Sequence, residues 1–407
     1  MRIEAPRGTA DVLPADAPAR RRIEETAAEL AERYGYRRII VPTFEETELF
    51  ARTSGAGSDV VQKEMYTFED RAGRSLTLRP EATAGIARAY VQHGLHRAPQ
   101  PVKTFLVGPM FRYAAPQKGR YREFWQLDVE AMGSDDPAVD AELVELFAEI
   151  ARALGIEELR LELNSIGDRA CRPAYIDRLR TFLAENVASL DRDAREKARA
   201  SPLRVFDTKN PSVAAVLASA PTIGDSLCDE CREHFLAVRA FLDAAGIEYE
   251  VVPTLVRGLD YYTRTVFEFV NPALGGAQST VCAGGRYDYL IEEIGGRPTP
   301  GVGWAAGIER LVMSLPSPPP AGAVDVFLIC EDDADRPRAL AQLALLRRAG
   351  LACDADFARR SVKGQLTQAG RLGARTIVRV NGERAVITGA GDERSVGIDE
   401  IAEAILP

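Results

Sequence analysis

The sequence predicts an α+β fold with three parts: a sheet core flanked by helices, a helical insertion, and a small α/β domain at the C-terminal end. Three observations predict it. Two strands surround a basic loop within 108–130, residues from about 165 to 250 are helical with few strand signals, and strands alternate with helices after a proline-rich segment. The predicted divisions are 1–164 and 251–316 for the core, 165–250 for the insertion, 317–323 for the linker and 324–407 for the last domain.

The composition is that of an ordinary soluble protein. The chain has 407 residues and a formal net charge of -9, which argues against coating nucleic acid nonspecifically but permits a local basic groove. No apolar run is long enough to span a bilayer, and residues 1–13 carry no signal-peptide pattern, so we expect a cytoplasmic protein with no membrane partner. Six cysteines do not form a disulfide framework in a chain this long.

The first elements are a helix and two short strands. Ile23, Ala27 and Ala31 share one face of the helix, and Pro42 stops the β-branched strand that follows. The next strand leads into residues 77–83, where Glu81 and Thr83 lie at a strand-to-helix junction. Glu81 there could hold an ammonium group, or both residues could simply cap the helix, and the pattern favours neither.

The segment 108–130 is the most informative part of the chain. Behind its loop, apolar and polar side chains alternate, which predicts a strand with one core face and one polar floor: Trp125, Leu127 and Val129 against Gln126, Asp128 and Glu130. The loop carries three cations that suit a phosphate-bearing partner: Lys118, Arg120 and Arg122. Arg112, at the end of the incoming strand, offers a planar fork that can bind a phosphate in two places. The alternative is a solvated hairpin tip.

A second informative segment, 255–269, contains Arg257 followed by a glycine and then Tyr261 and Tyr262. The glycine permits a bend that brings Arg257 near a ligand, and tyrosine hydroxyls can hydrogen-bond an imidazole while their rings line its slot. The alternative is an aromatic core strand. Segment 283–288, which includes Tyr287, continues the pattern as a close approach of glycine backbone to a ligand.

The segment 301–310 starts a helix with Arg310 off its buried stripe, and a surface arginine on an amphipathic helix is the alternative.

The pair Cys228 and Cys231, with His234 three residues later, suggests zinc. Four-coordinate structural zinc needs a second pair of ligands, and no other cysteine or histidine cluster supplies one. We therefore predict no metal site and interpret the pair as two buried thiols on a helical turn.

Taken in order, these segments resemble the motifs of class II aminoacyl-tRNA synthetases, in the form found in histidyl-tRNA synthetases. Residues 42–45 resemble motif 1, 108–130 motif 2 and 301–310 motif 3, while 255–269 resembles a signature of the histidine-specific members. The resemblance implies an antiparallel sheet core, an insertion that clamps the tRNA acceptor stem, and a C-terminal anticodon-binding domain.

The resemblance also implies a reaction. Histidine would be activated by ATP, with Mg²⁺, to histidyl-adenylate and transferred to the 3′ end of histidine tRNA by a homodimer, releasing AMP and diphosphate. The implied phosphate ligands are Arg112 and Arg257 for the α-phosphate and Arg310 for the γ-phosphate. The implied histidine ligands are Glu81, Thr83, Gln126, Glu130, Tyr261, Tyr262 and Tyr287, and the implied tRNA ligands are Lys118, Arg120 and Arg122.

Two further points follow from the resemblance. The alternative function is that of a non-catalytic paralogue that regulates ATP phosphoribosyltransferase, which typically lacks both segment 255–269 and the C-terminal domain. In addition, Ala114 and Ala115 replace a basic and often acidic pair in a loop that reads the tRNA acceptor end. We hypothesise an altered dependence on the extra 5′ guanylate of histidine tRNA.

Overall fold

The computed structural model describes residues 3–53, 63–117, 119–208, 210–275, 278–317, 323–389 and 392–406. The chain divides into two compact units, Met1–Pro318 and Pro319–Pro407, and each has an apolar core of its own. The finer division of the first unit into core and insertion stays a prediction. Within the described ranges, no helix is both long enough and apolar enough to cross a membrane.

The described helices of the first unit are α1 (Ala17–Arg33), α2 (Thr47–Thr53), α3 (Thr83–Gln92), α4 (Pro137–Leu154), α5 (Arg172–Glu185), α6 (Arg192–Ala200), α7 (Pro211–Leu217), α8 (Asp229–Ala244), α9 (Leu290–Glu293) and α10 (Ile308–Ser314). Its strands are β1 (Arg37–Arg38), β2 (Phe44–Glu46), β3 (Tyr66–Glu69), β4 (Ser75–Leu78), β5 (Val102–Phe111), β6 (Glu123–Met132), β7 (Arg160–Ser165), β8 (Glu250–Val251), β9 (Thr263–Val270), β10 (Thr280–Arg286) and β11 (Gly301–Gly307).

Among the described residues, one large sheet has the strand order β1-β5-β6-β11-β10-β9-β7-β8. Its inner pairs are antiparallel, whereas β1 pairs in parallel with β5 and β8 with β7. The predicted antiparallel core is therefore confirmed. Strands β2, β4 and β3 form a second, antiparallel sheet.

The two faces of β6 have different environments, as its alternation predicts. Leu127 and Val129 are fully buried in the core with apolar residues of α1 and α4. Helix α4 has strong end signals: the Asp136 side chain accepts a hydrogen bond from the Ala138 N–H at 2.9 Å, and Gly155 ends the helix with φ 76°. One face of the sheet is thus covered by helices, which leaves the polar face of β6 for a ligand.

Segment 301–310 contains the start of a helix, as predicted, because α10 begins at Ile308. Its glycine-rich part, 301–307, is strand β11, which was not predicted. Glycine is disfavoured in strands because it contributes no side chain to the packing. In β11 the missing side chains leave space that neighbouring residues occupy. A Cβ at Gly303 would overlap the Glu130 carboxylate, and one at Gly301 would overlap the Tyr287 ring.

The segment between β7 and β8 is helical, as predicted, and has its own apolar cluster. The later part of α8 joins the main core through Val238 and Leu242. A buried network adds a second connection, because Asp140 of α4 forms an ion pair with Arg286 of β10 and lies 3.2 Å from His234 Nε2 of α8. Helix α8 therefore connects the helical segment to the core of the sheet.

The second unit contains, in the described residues, β12 (Val326–Cys330), α11 (Arg336–Arg348), β13 (Cys353–Ala355), α12 (Val362–Arg371), β14 (Thr376–Asn381), β15 (Arg384–Gly389), β16 (Asp392–Gly397) and α13 (Ile401–Ile405). Its sheet order is β13-β12-β14-β15-β16, with β13, β12 and β14 parallel and the last two strands antiparallel. The predicted α/β alternation is confirmed through β14. The final hairpin was not predicted.

Candidate active site

A cavity of about 320 Å³ opens over the polar face of β6 and the neighbouring strands β9, β10 and β11. The loop after β5 and the first turns of α3 and α10 contribute further lining residues. Its volume is in the range of sites for small molecules.

Most of the residues that the sequence singled out lie around this cavity. Those that line it are Glu81, Thr83, Arg112, Arg120, Gln126, Arg257, Tyr261, Tyr262, Tyr287 and Arg310. Glu130 lies directly beneath, where its carboxylate accepts hydrogen bonds from Thr83 Oγ1 at 2.5 Å and from the Tyr287 hydroxyl. The structure therefore brings together residues that are spread over more than half of the sequence.

Of the two other predicted residues, only Arg122 has a described position, and it does not line the cavity. The Arg122 guanidinium stacks 3.8 Å from the centre of the Tyr113 ring and donates to the Ala114 carbonyl at 3.3 Å, away from the cavity lining. Lys118 lies outside the described residues.

One wall of the cavity is strongly cationic. Arg112 Nε donates to the Pro80 carbonyl at 2.8 Å, Arg310 Nη1 to the Thr280 carbonyl at 2.6 Å, and Arg120 pairs with a glutamate at 2.9 Å. Burial lowers the pKa of Arg112, and burial together with the charges of Arg112 and Arg120 lowers that of Arg310. The charges of Arg112, Arg120 and Arg310 are thus close enough to affect one another. Such a group of guanidinium ions can bind a polyanion such as a phosphate chain.

Arg257 is held on the floor by an ion pair with Glu268 of β9, and Glu268 also accepts a hydrogen bond from Thr280 Oγ1 at 2.7 Å. Burial by itself would lower the pKa of Arg257, but the Glu268 carboxylate offsets this and the pKa is raised. The guanidinium is therefore both permanently charged and fixed in direction. Its Nε is buried and has no hydrogen-bond partner among the described residues.

Another part of the cavity lining is acidic and aromatic. The Glu81 carboxylate accepts a hydrogen bond from the Ala84 N–H at 3.1 Å, so this residue caps α3 and lines the cavity at once. Burial raises the pKa of Glu81, and it raises that of Glu130 to about 8 although hydrogen bonds from neighbouring hydroxyls oppose the shift. The rings of Tyr261 and Tyr287 meet edge to face at 5.9 Å. This part suits a small molecule with an ammonium group and a polar ring.

Sequence reasoning missed several lining residues. Asp128 is fully buried, its carboxylate oxygens lack hydrogen-bond partners among the described residues, and burial together with Glu130 and Glu81 raises its pKa well above the usual value. The alternation along β6 contains the signal for Asp128, because it shares a face with Glu130. Glu268 has a weaker signal, a single carboxylate in an apolar strand. Other missed lining residues are Tyr121, Phe124 and Glu309.

The glycines of segment 283–288 are required by the packing of the sheet, and their close approach to a ligand stays a prediction. A Cβ at Gly284 would overlap the Gly303 carbonyl and Trp304, and a Cβ at Gly285 would lie 2.9 Å from the Tyr262 ring. These glycines therefore allow β10 to pack closely between its neighbours and beneath Tyr262. They shape the site indirectly, because a side chain at Gly285 would prevent the Tyr262 ring from packing against the sheet.

Comparison with known proteins gives a consistent result over the whole chain. A family model described as "Histidyl-tRNA synthetase" matches residues 8–311. The chain is 43% identical to a protein named "Histidine--tRNA ligase" from Halothermothrix orenii, with 100% of this chain and 97% of the relative covered, and 46% identical to one of the same name from Rubrobacter xylanophilus, with 97% of each covered. The fold matches the crystal structure of apo S. aureus histidyl-tRNA synthetase with a TM-score of 0.82, at 35% identity over 99% of both chains. The chain therefore belongs to the histidyl-tRNA synthetase family.

Proposed function

We propose that this protein is a histidine-tRNA ligase that activates L-histidine with ATP and transfers it to the 3′ end of histidine tRNA, releasing AMP and diphosphate. The observation that carries the proposal is a single cavity lined both by several guanidinium groups and by buried carboxylates and tyrosine rings. A phosphate chain and a small cationic amino acid can therefore meet on one floor. Full-length relatives that carry this enzyme's name support the same activity.

The first step joins the histidine carboxylate to the α-phosphate of ATP. No protein nucleophile is needed, so catalysis depends on placing the reactants and stabilising the charge that develops on the phosphate. Arg112 and Arg257 would hold the α-phosphate, and Arg310 would hold the γ-phosphate. All three guanidinium groups line the cavity, and their anchoring to carbonyl or carboxylate oxygens limits their reorganisation.

The histidine ligands lie in the acidic part of the lining. Glu81 would bind the α-ammonium group, assisted by Thr83 and Gln126. The imidazole would lie among Tyr261, Tyr262 and Tyr287 and interact with Glu130, with the buried groups penalising any amino acid that cannot satisfy them. These assignments carry the predicted roles onto residues that line or underlie one cavity.

Magnesium would enter with ATP. The ion prefers oxygen ligands and usually combines one or two carboxylates with phosphates and water. Glu309 fits this chemistry, because it is a carboxylate on the lining near Arg310 and its oxygens accept the Trp125 N–H at 3.0 and 3.2 Å. Magnesium bound there would neutralise part of the phosphate charge.

The activity is tested by ATP–pyrophosphate exchange with the purified protein and each of the twenty amino acids. We expect exchange with histidine alone. The regulatory paralogue remains the alternative to exclude: absence of exchange with all amino acids, together with co-purification of ATP phosphoribosyltransferase, would favour it. The presence of segment 255–269 and of the second unit argues against that alternative.

We propose a cytoplasmic homodimer formed through the motif 1 region. Ile40 is 83% exposed. Phe44 and Phe68 are each about half exposed, and the centres of their rings lie 6.2 Å apart. Exposed apolar groups of this size typically mark a protein interface. We expect Ile40→Glu to convert the dimer to a monomer at micromolar concentration in light scattering, while Leu345→Glu in the second unit leaves the mass unchanged. A monomeric wild type would contradict the proposal.

The tRNA would contact the loop that follows β5, with Lys118, Arg120 and Arg122 as the proposed ligands. Ala115 is exposed in this loop, whereas Ala114 is buried. A loop without the usual charged pair has fewer groups for the acceptor end, so we expect removal of the extra 5′ guanylate to lower kcat/KM less than in relatives that keep the pair. Aminoacylation of transcripts with and without that nucleotide measures this, and an undiminished dependence would refute the hypothesis.

A further inference from the structure

We propose that Asp168, Cys171, Cys228 and Cys231 form a zinc-binding site at the base of the helical insertion. Each residue offers one ligand atom, and all of these atoms lie within 4.8 Å of one another. Asp168 and Cys171 lie in the turn between β7 and α5, and the other two lie at the start of α8. The four residues thus join the two chain segments that lead into and out of the insertion.

The spacing of the ligand atoms fits a tetrahedral zinc ion. Zinc–sulfur bonds of about 2.3 Å and zinc–oxygen bonds of about 2.0 Å place ligand atoms about 3.8 Å apart for two sulfurs and about 3.5 Å apart for sulfur and oxygen. Cys171 Sγ lies 3.9 Å from Cys231 Sγ and 3.6 Å from Asp168 Oδ1. These two edges of the tetrahedron therefore already have the required lengths.

The donor set is also appropriate. Thiolates and carboxylates both bind zinc, and two residues separated by two others are a usual ligand spacing. Asp168 and Cys171 have this spacing, as do Cys228 and Cys231. The sequence shows no second pair of cysteines or histidines, because one member of the second ligand pair is the carboxylate of Asp168. That pair also lies far upstream of Cys228.

The surrounding backbone accommodates the sulfur of Cys171. Gly167 has φ 63°, and a Cβ there would lie 2.7 Å from Cys171 Sγ. The Asp168 N–H donates to the same sulfur at 3.5 Å, an outer contact of the kind that orients a metal ligand. Asp168, Cys171 and Cys231 are buried, whereas Cys228 is partly exposed, so an ion could enter from one side.

Arg264 supplies the charge that such a centre requires. Three thiolates and one carboxylate around Zn²⁺ leave a net negative charge, and Arg264 Nη2 lies 3.5 Å from Asp168 Oδ2. Arg264 has φ 47°, a left-handed conformation that non-glycine residues rarely adopt. It lies two residues after Tyr262, and Arg172 at the start of α5 donates to the Tyr262 carbonyl at 2.6 Å. Zinc would therefore fix the base of the insertion next to the segment proposed to bind histidine.

The test is the zinc content of full-length protein purified under reducing conditions from zinc-supplemented cells. We expect about one zinc ion per chain, retained in Asp168→Cys and lost in Cys171→Ser and Cys231→Ser. Cys330→Ser and Cys353→Ser remove thiols from the second unit and should keep the zinc. Zinc that survives in both ligand variants, or that is absent from the wild type, overturns the proposal.

A second measurement does not depend on the folding of variants. Cobalt(II) added to the metal-depleted wild type should give the visible bands of tetrahedral coordination and a sulfur-to-cobalt charge-transfer band, and zinc should abolish both. Metal loading should also protect three thiols from alkylation and raise the melting temperature. A cobalt spectrum without charge transfer, or a Cys171–Cys231 disulfide in protein isolated with alkylation of free thiols, would contradict a zinc site.

Discussion

Replacing Arg257 by methionine is expected to lower the rate of histidyl-adenylate formation by about a hundredfold to a thousandfold, the usual cost of removing one donor that stabilises developing charge. Methionine has a similar length but no charge, so the α-phosphate would lose a fixed cationic partner. The loss should appear mainly in kcat, because the guanidinium is proposed to interact more strongly with the transition state than with ATP. Single-turnover adenylate formation measures it.

Two variants separate this role from general damage. Arg257→Lys keeps the charge but not the planar fork, so its rate should lie between wild type and Arg257→Met. Arg152→Met removes a surface arginine of α4 that pairs with Glu149, and it should leave the rate unchanged. A rate within about threefold of wild type for Arg257→Met would remove Arg257 from the proposed chemistry.

Above pH 8, where the Glu130 carboxyl is ionised, replacing Glu130 by glutamine is expected to raise KM for histidine by about tenfold to a hundredfold, which corresponds to one lost hydrogen bond to a charged group in a buried site. The carboxylate accepts from both Thr83 and Tyr287, whereas the amide has only one acceptor oxygen. One of these hydroxyls, or the imidazole, is then left without its partner. KM for ATP should change little, since the Glu130 carboxylate bonds to Thr83 and Tyr287 and not to the proposed phosphate ligands.

The same substitution should change how stability depends on pH. The pKa of Glu130 in the folded chain is about 8, above the value of about 4.3 expected in the unfolded chain. Between these values the folded chain keeps a proton that the unfolded chain has lost, so stability falls as pH rises through this window. Glutamine does not titrate. The melting temperature of Glu130→Gln relative to wild type should therefore increase from about pH 5 to about pH 9.

Glu149→Gln provides the comparison for this experiment, because Glu149 is a partly exposed carboxylate on α4. Its melting temperature relative to wild type should show no comparable rise with pH. A constant difference between Glu130→Gln and wild type across the pH range would mean that Glu130 does not titrate in this window.

Local patterns predicted the parts of the fold in which sequence neighbours determine the structure. The alternation along β6 separates Leu127 from Glu130, and the apolar spacing and end signals of α4 predict its limits. Most proposed ligands came from the resemblance rather than from periodicity. Their convergence on one cavity could not be seen in the residues alone, because it depends on which strands are neighbours in the sheet.

What the sequence could not provide depends on contacts between distant residues. The strand β11 was missed because its glycines are explained only by the Glu130 and Tyr287 side chains that occupy their space. Glu268 gains a role only once β9 is placed beneath Arg257. The approach of Asp168 and Cys171 to the later cysteine pair likewise depends on the folding of the insertion.

The order of strands in the large sheet also affects how the chain acquires its structure during synthesis. Glu130 of β6 is paired in register with Gly303 of β11, yet the whole insertion and the four strands β7 to β10 are translated between them. Domains fold largely as units as the chain emerges, and contacts between distant segments form late. The carboxylates of β6 therefore stay hydrated on the nascent chain until β11 leaves the ribosome. Burial of Glu130, and with it the part of the cavity proposed to bind histidine, is completed only after most of the first unit has been made.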